Sequence, residues 1–193
     1  MHKPVRIAAP SEPPVSREQA KLHCRIDSDD EDDLVDGLIA AAVDHVDGFS
    51  GILGQCLMAQ EWRQDFDAWS RSLRLPFGPV IGLPSVTVRN TSGQIATVPT
   101  TDYALLEDAL GPYLRFKDSV ASPMDLYQSR AISVSFTAGH SDRESVPKAI
   151  IQALLLIIGH WYANREEVVT GTIATQIPMA AQSLLRNKRR VGL

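Results

Sequence analysis

The chain has 193 residues, 44% of them hydrophobic, and a formal net charge of −4. This length suits a single compact unit with one sizeable core. Cys24 and Cys56 are its two cysteines, and neither has a Cys or His partner at metal-ligand spacing, which argues against a disulfide framework and against a cysteine-based metal site. The N-terminal residues contain no apolar signal-peptide core, so we expect a soluble intracellular protein without a membrane anchor.

The N-terminal residues predict an extended arm followed by a short helix. Residues 1–14 contain four prolines and little to bury, so we expect this arm to be extended. Ser16 and Gln19 have the spacing of a capping box, which predicts a first helix over residues 16–26.

An acidic run follows, with seven acidic residues in the ten positions 27–36. Apolar residues then recur at three- and four-residue steps until a Ser-Gly pair, which predicts a second helix over residues 30–50. Acids in the first turn of a helix are favoured by its dipole, typically by about 0.3–1 kcal/mol each. A calcium-binding loop is the alternative, and it fails because Asp32 stands where the loop needs Gly and Leu38 where it needs a bidentate Glu.

The middle of the chain, about residues 57–137, changes to short β-favouring runs separated by Pro and Gly. Val86–Val88 and Ile95–Val98 flank an Asn-Thr-Ser-Gly turn and predict a hairpin. The stretch PFGPVIGLP reads as a connection between strands. The remaining candidate strands are Leu57–Phe66, Leu73–Leu75, Tyr103–Leu106, Tyr113–Phe116 and Ala131–Thr137.

The most apolar segment is SVPKAIIQALLLIIGHWYANREEVV, which predicts a long third helix. Ser145 and Pro147 suit its first turn, and we place it at residues 146–168. Within residues 150–158 only Gln152 is polar, so the helix is apolar on every face and should be buried all round. The run is too short to span a membrane, and we therefore expect burial in protein.

The predicted fold class is α+β, a helical bundle built from the N- and C-terminal helices with an inserted small antiparallel β-sheet domain. Pro178 permits a last short helix over residues 179–185. We divide the chain into the extended arm at 1–14, a central domain at 15–169 and a C-terminal tail at 170–193.

Motifs that carry catalysis are missing from the sequence. It has no G-x-S-x-G, no H-E-x-x-H and no Gly-rich phosphate loop, and its five histidines are scattered. We therefore predict no catalytic, cofactor-binding or metal-binding residues and no enzyme activity.

Two other features suit contacts with macromolecules. Trp, Tyr and Arg often anchor protein interfaces, so the end of the long helix is a candidate subunit interface, formed by Trp161, Tyr162, Arg165 and Glu166. Ordinary core packing with an exposed charged end explains the same residues. The basic tail can be a solvated end, a phosphate-binding arm or a docking peptide. It lacks interleaved aromatic residues and the rest of the chain is acidic, so sequence-specific DNA recognition is not expected.

The order of these segments resembles that of the head–tail connector, or adaptor, proteins of long-tailed bacteriophages, prophages and gene transfer agents. The matching segments are DDEDDLVDGLIAAAVDHVDGFSG, QEWRQDF, LRLPFGPV leading to SVTV, ISVSFTAG, VPKAIIQALLLIIGHWYANRE and IPMAAQSLL. The TAG turn before VPKAI and the helix end GHWYANRE are the most specific of them.

The resemblance implies a structural role without a cofactor. It implies a ring of twelve copies, docked beneath the portal protein of a capsid and above a stopper or tail-completion protein, with double-stranded DNA passing through its lumen. Such a subunit would lie in the host cytoplasm during assembly and then in the neck of the virion or transfer particle, with no membrane contact.

The resemblance also implies roles for the two charged segments. Portal docking falls to the C-terminal segment, with Met179, Leu184, Leu185, Arg186, Lys188, Arg189 and Arg190. An acidic lumen lets DNA slide whereas Lys and Arg hold phosphates, so the candidate lumen-facing acids are Asp29, Asp30, Asp32 and Asp33. The alternative function is a DNA-binding packaging factor that uses the basic tail.

Overall fold

The fold was obtained as a computed structural model, which describes residues 2–164 and 178–190. The helices are α1 (Arg17–Cys24), α2 (Asp32–Val46), α3 (Lys148–Ala163) and α4 (Met179–Arg186). The strands are β1 (Val5–Ala8), β2 (Gln60–Phe66), β3 (Ser72–Arg74), β4 (Val80–Arg89), β5 (Ile95–Thr97), β6 (Tyr103–Asp108), β7 (Gly111–Phe116) and β8 (Ile132–Ala138). The predicted mixture of helices and antiparallel sheet is confirmed.

The chain divides into two compact units. Residues 2–11 and 59–141 form a β unit, which contains all eight strands. Residues 12–58 and the described residues after 141 form a helical unit, which contains the four helices. None of these helices in the described part of the chain is long and apolar enough to cross a membrane.

The core of the helical unit is built around α3. Five of its side chains are fully buried, and α2 faces the same core with Val35, Ile39, Ala42 and Val46. Among the described residues, Ile151, Leu155 and Leu156 of α3 are only partly buried. The prediction of burial on every face is therefore wrong for the single copy, because the neighbouring helices cover α3 fully on one side and incompletely on the other.

Local signals set the helix ends. The predicted capping box is confirmed, since Ser16 Oγ accepts the Gln19 N–H at 3.2 Å and Gln19 Oε1 accepts the Ser16 N–H at 3.1 Å. Helix α2 is shorter than predicted because the backbone turns extended at Asp47, whose carboxylate accepts the Leu57 N–H at 2.5 Å. The predicted continuation of α3 over 165–168 lies outside the described residues.

The β unit contains two antiparallel sheets rather than the single one predicted. The larger has the order β1-β2-β8-β4-β5 and the smaller the order β3-β7-β6. The predicted hairpin is confirmed, with Thr87 opposite Thr97. Buried aromatic rings fill the core of this unit, with Trp62 and Phe77 edge to face at a centroid distance of 4.7 Å.

Two segments of the β unit depart from the sequence prediction. Part of the N-terminal arm is strand β1, which pairs antiparallel with β2 and places Val5 opposite Arg63. The second half of the stretch predicted as a connection, residues 80–84, belongs to β4, which pairs with β8 from Val80 onward. A register shift between Ile81 and Ser85 accommodates Pro84, which cannot donate to a regular ladder.

Candidate assembly surfaces

The acidic run is partly neutralised by two cations on α1. Arg17 Nη1 lies 2.8 Å from an oxygen of Asp32, and Arg17 Nε donates to Asp36 at 2.9 Å. Lys21 Nζ lies 2.6 Å from Asp29 and 2.7 Å from Asp32. These ion pairs join α1 to the start of α2, so part of the run serves the packing of the helical unit.

The same contacts stabilise the ionised forms of the groups. The hydrogen bond from Lys21 lowers the pKa of Asp32, and the hydrogen bond from Arg17 lowers the pKa of Asp36. In return, the hydrogen bonds to Asp29 and Asp32 raise the pKa of Lys21. The side chain of Lys21 is only 14% exposed, so most of it is covered by neighbouring residues.

The four predicted lumen-facing acids therefore differ in their contacts. Asp32 is bound by both cations, and Asp29 is bound by Lys21 although its side chain is 91% exposed. Asp30 and Asp33 are exposed and make no ion pair among the residues that the structure describes. Their carboxylates are exposed to solvent.

The predicted interface residues at the end of α3 also make contacts within the helical unit. Trp161 is edge-on to His45 at a centroid distance of 6.3 Å, and its side chain is partly buried against the core. The Tyr162 hydroxyl donates a hydrogen bond to the Glu31 carboxylate. Core packing therefore accounts for part of this aromatic pair, while Arg165 and Glu166 lie outside the described residues.

The C-terminal docking residues fall into two groups. Leu185 is buried and Leu184 is partly buried against the same core, so α4 is fastened to the helical unit through them. Met179 is 80% exposed. The cations Arg186, Lys188 and Arg189 are exposed and form no ion pair within residues 2–164 and 178–190. Arg190 is half-buried, and its backbone N–H donates to the Leu53 carbonyl at 2.9 Å.

Sequence reasoning missed the partners of these residues. Arg17 and Lys21 stand four positions apart on α1, a spacing that places two cations on one helix face just before the acidic run. That spacing is the signal that could have identified the ion pairs. The contacts of Glu31 with Tyr162 and of Gln55 with the tail join segments more than 130 positions apart, and local patterns carry no signal for them.

No group of three or more His, Cys, Asp or Glu side chains in the described segments could hold a metal ion. The features of the helical unit are instead exposed charged surfaces on a scaffold of buried helices.

Solved structures with a similar fold come from gene transfer agent particles. A chain in the neck of an empty gene transfer agent particle, computed with C6 symmetry, has a TM-score of 0.79 at 20% identity, covering 100% of this chain and 97% of that one. A chain in the virion of a native gene transfer agent particle has a TM-score of 0.78 at 19% identity, with the same coverage. A chain in the native neck computed with C12 symmetry has a TM-score of 0.65 at 18% identity, covering 97% of both chains. These identities support a shared fold.

The family follows from the sequence itself. The family described as "Phage gp6-like head-tail connector protein" matches residues 18–122, which is more than half of the chain. The chain belongs to this head–tail connector family, and its role is that of a structural head–tail adaptor. The predicted resemblance is thereby confirmed. No curated protein sequence matches the chain.

Proposed function

We propose that the chain forms a ring of twelve copies in the neck of a phage or phage-like particle, between the portal protein and a stopper or tail protein. Double-stranded DNA passes through the lumen of this ring without sequence-specific contacts. The observation that carries the proposal is the family match together with a fold likeness to neck chains over nearly the whole length, in assemblies computed with C6 and C12 symmetry. The subunit waits in the host cytoplasm until it joins the neck, and it catalyses no reaction.

Within the subunit, we propose that the four helices act as one bundle and that the β unit is an insertion in it. Side chains from both ends of the sequence support this arrangement, since Ala20 and Leu185 belong to the same hydrophobic cluster as α2 and α3. The functional division is an arm at 1–14, a connector domain at 15–169 and a docking tail at 170–193. A core shared by distant segments gives a ring subunit a rigid body from which charged surfaces project.

The exposed acids at the start of α2 are suited to line the lumen of the proposed ring. A polyanion slides past a negative surface, whereas several Lys or Arg side chains would bind its phosphates tightly. Asp30 and Asp33 carry this role in the proposal because their charges are not cancelled by Arg17 and Lys21. Asp29 and Asp32 contribute to it less, since ion pairs with α1 neutralise them in part.

Neighbouring copies meet at the end of α3 in this proposal. The partly exposed faces of Trp161 and Tyr162 supply contact area, and Arg165 and Glu166 follow them in sequence. Large aromatic side chains and Arg are the residue types that contribute most to interface energy. The partly buried Leu155 and Leu156 of α3 give a neighbouring copy further apolar surface to cover.

The portal contact falls to the exposed residues of the tail. Four of its side chains remain accessible: Met179, Arg186, Lys188 and Arg189. By contrast, Leu184 and Leu185 hold α4 in place, and Arg190 is bound to the loop at Leu53.

A second candidate function, a DNA-binding packaging factor, is favoured by the same exposed cations. It predicts DNA binding that weakens steeply with salt and disappears when the tail cations are neutralised.

Mixing the purified chain with its portal protein tests the proposal. We expect mass photometry to show the portal ring gaining the mass of about twelve subunits. Each subunit of a symmetric portal ring offers the same binding site, so each copy of the chain can bind in the same way. A chain ending at residue 187 retains the buried Ala181 and Leu185 of α4, so it should keep its fold but dock more weakly. A full-length chain that stays monomeric in the presence of portal would contradict the proposal, and unchanged docking of the truncated chain would refute the tail assignment.

A further inference from the structure

The tail after α4 is bound to the loop at residues 51–55. The Arg190 N–H donates to the Leu53 carbonyl at 2.9 Å, and the Gln55 side-chain amide donates to the Lys188 carbonyl at 3.0 Å. Gly54 lies between these two contacts, with a positive φ of 62° that suits glycine. The basic tail is therefore held at two points along its backbone.

Helix α4 fixes the other end of the same segment. Ala181 and Leu185, four positions apart, are buried in the core of the helical unit. Met179, Ser183 and Arg186 lie on the opposite side of the helix and are exposed. Because both ends are anchored, the segment presents its outward side chains from a fixed backbone.

The outward side chains form a mixed apolar and cationic surface. Met179 is at one end, and the cations Arg186, Lys188 and Arg189 are at the other. Met and Arg are enriched in protein interfaces, whereas the tail has no aromatic residue on which a base could stack. Cations that have no ion-pair partner in the described part of the subunit are complementary to carboxylates on a surface that they meet.

We propose that the loop at residues 51–55 holds the tail in a binding-ready position, from which Arg186, Lys188 and Arg189 bind an acidic surface of the portal protein. This inference rests on the proposed head–tail adaptor function and adds the chemistry of the contact and the residue that positions it. Ordering the tail before it binds lowers the entropic cost of docking. Gln55 is a positioning residue here, since it touches the tail and not the portal.

Charge removal tests the chemistry of this contact. The triple variant Arg186→Gln, Lys188→Gln, Arg189→Gln should bind the portal about tenfold or more weakly at low salt and lose most of the salt dependence of binding. The control variant Lys3→Gln, Arg6→Gln, Lys148→Gln removes the same charge elsewhere and should bind like the wild type. Triple-variant binding equal to that of the control would overturn the inference, even though portal docking itself stands.

A second variant tests the positioning. Gln55→Ala removes the amide donor to Lys188 but no charge, so portal binding should weaken about threefold with an unchanged salt slope, because a looser tail pays more entropy on docking. Binding as tight as that of the wild type would contradict the positioning role. If the tail cations instead govern retardation of duplex DNA at physiological salt and leave portal binding intact, the acidic-surface assignment is wrong. Failure of the wild type to dock at all would refute the adaptor function as well.

Discussion

Individual cations explain why the acidic run can stand at the start of α2. Two cations on α1, Arg17 and Lys21, form ion pairs with three carboxylates of the acidic run. These ion pairs offset the repulsion among the acids. Exposed ion pairs contribute little singly, but Lys21 is largely covered and serves two acids at once. At the residue scale, some acids of the run therefore form ion pairs with α1, and the others are exposed to solvent.

These ion pairs should make stability fall in acid. Asp32 and Asp36 have pKa values below the ordinary 3.8, so their contribution is present above that value and is lost as the pH falls through the lowered pKa. We expect the free energy of unfolding of the wild type to drop between about pH 5 and pH 2 more than that of the Arg17→Gln, Lys21→Gln variant.

Urea unfolding over this pH range measures the difference, with Lys148→Gln as a control that removes an exposed cation from α3. Asp67 and Asp108, whose pKa values of about 2 result from contacts with His2 and Arg74, titrate equally in all variants. Their effect cancels in the comparison. If the free energy of unfolding changes with pH in the same way for the wild type and the double variant, the ion pairs of Arg17 and Lys21 do not stabilise the fold.

Helix α3 decides the packing at the scale of elements. Five of its side chains are fully buried, and α1, α2 and α4 all contact it. Most of its burial is thus achieved inside one subunit. Three apolar side chains of α3 are only partly buried within the subunit: Ile151, Leu155 and Leu156. A neighbouring copy can cover their exposed surface.

The cost of truncating α3 should follow burial. Leu154→Ala removes a completely buried side chain, so we expect it to lower the free energy of unfolding by about 2–5 kcal/mol, through lost transfer energy and a cavity. Leu22→Ala on α1 is the matched control, because Leu22 is 82% exposed, and it should change stability by less than about 0.5 kcal/mol. Chemical denaturation measures both. Similar losses in the two variants would mean that the core is not centred on α3.

Local chemistry made most elements predictable from the sequence. The capping box at Ser16, the turn between Val88 and Ile95, and the apolar periodicity of α2 each involve neighbours within a few residues. Strand β1 was missed because its partner β2 is more than 50 positions away. The split into two sheets was missed for the same reason, since an alternating pattern does not state which strand pairs with which.

The assembly surfaces were less predictable than the elements. The sequence identified the acidic run and the basic tail but could not tell bound charges from free ones. Asp32 and Asp33 are adjacent in sequence, yet one is held by two cations and the other is exposed. Leu185 read as a docking residue because it lies beside the cations, whereas the fold buries it on the side of α4 that faces the core of the helical unit. These distinctions depend on contacts between distant segments.

At the scale of the whole molecule, family, fold and surfaces agree on an adaptor. The family match covers parts of both units, and the fold likeness extends over the remainder of the chain. A ring needs two different surfaces on each copy so that contacts can repeat around a closed axis. In the proposed ring, the exposed end of α3 meets neighbouring copies, the exposed acids face the lumen and the anchored tail meets the portal.

The most direct test of this account is a single-particle reconstruction of the full-length chain bound to its portal protein. The account predicts a closed ring of twelve copies around an open channel, with the tail cations against the portal and acidic side chains on the channel wall. A reconstruction in which the chain forms no closed ring on the portal, or closes without a channel for duplex DNA, would contradict it.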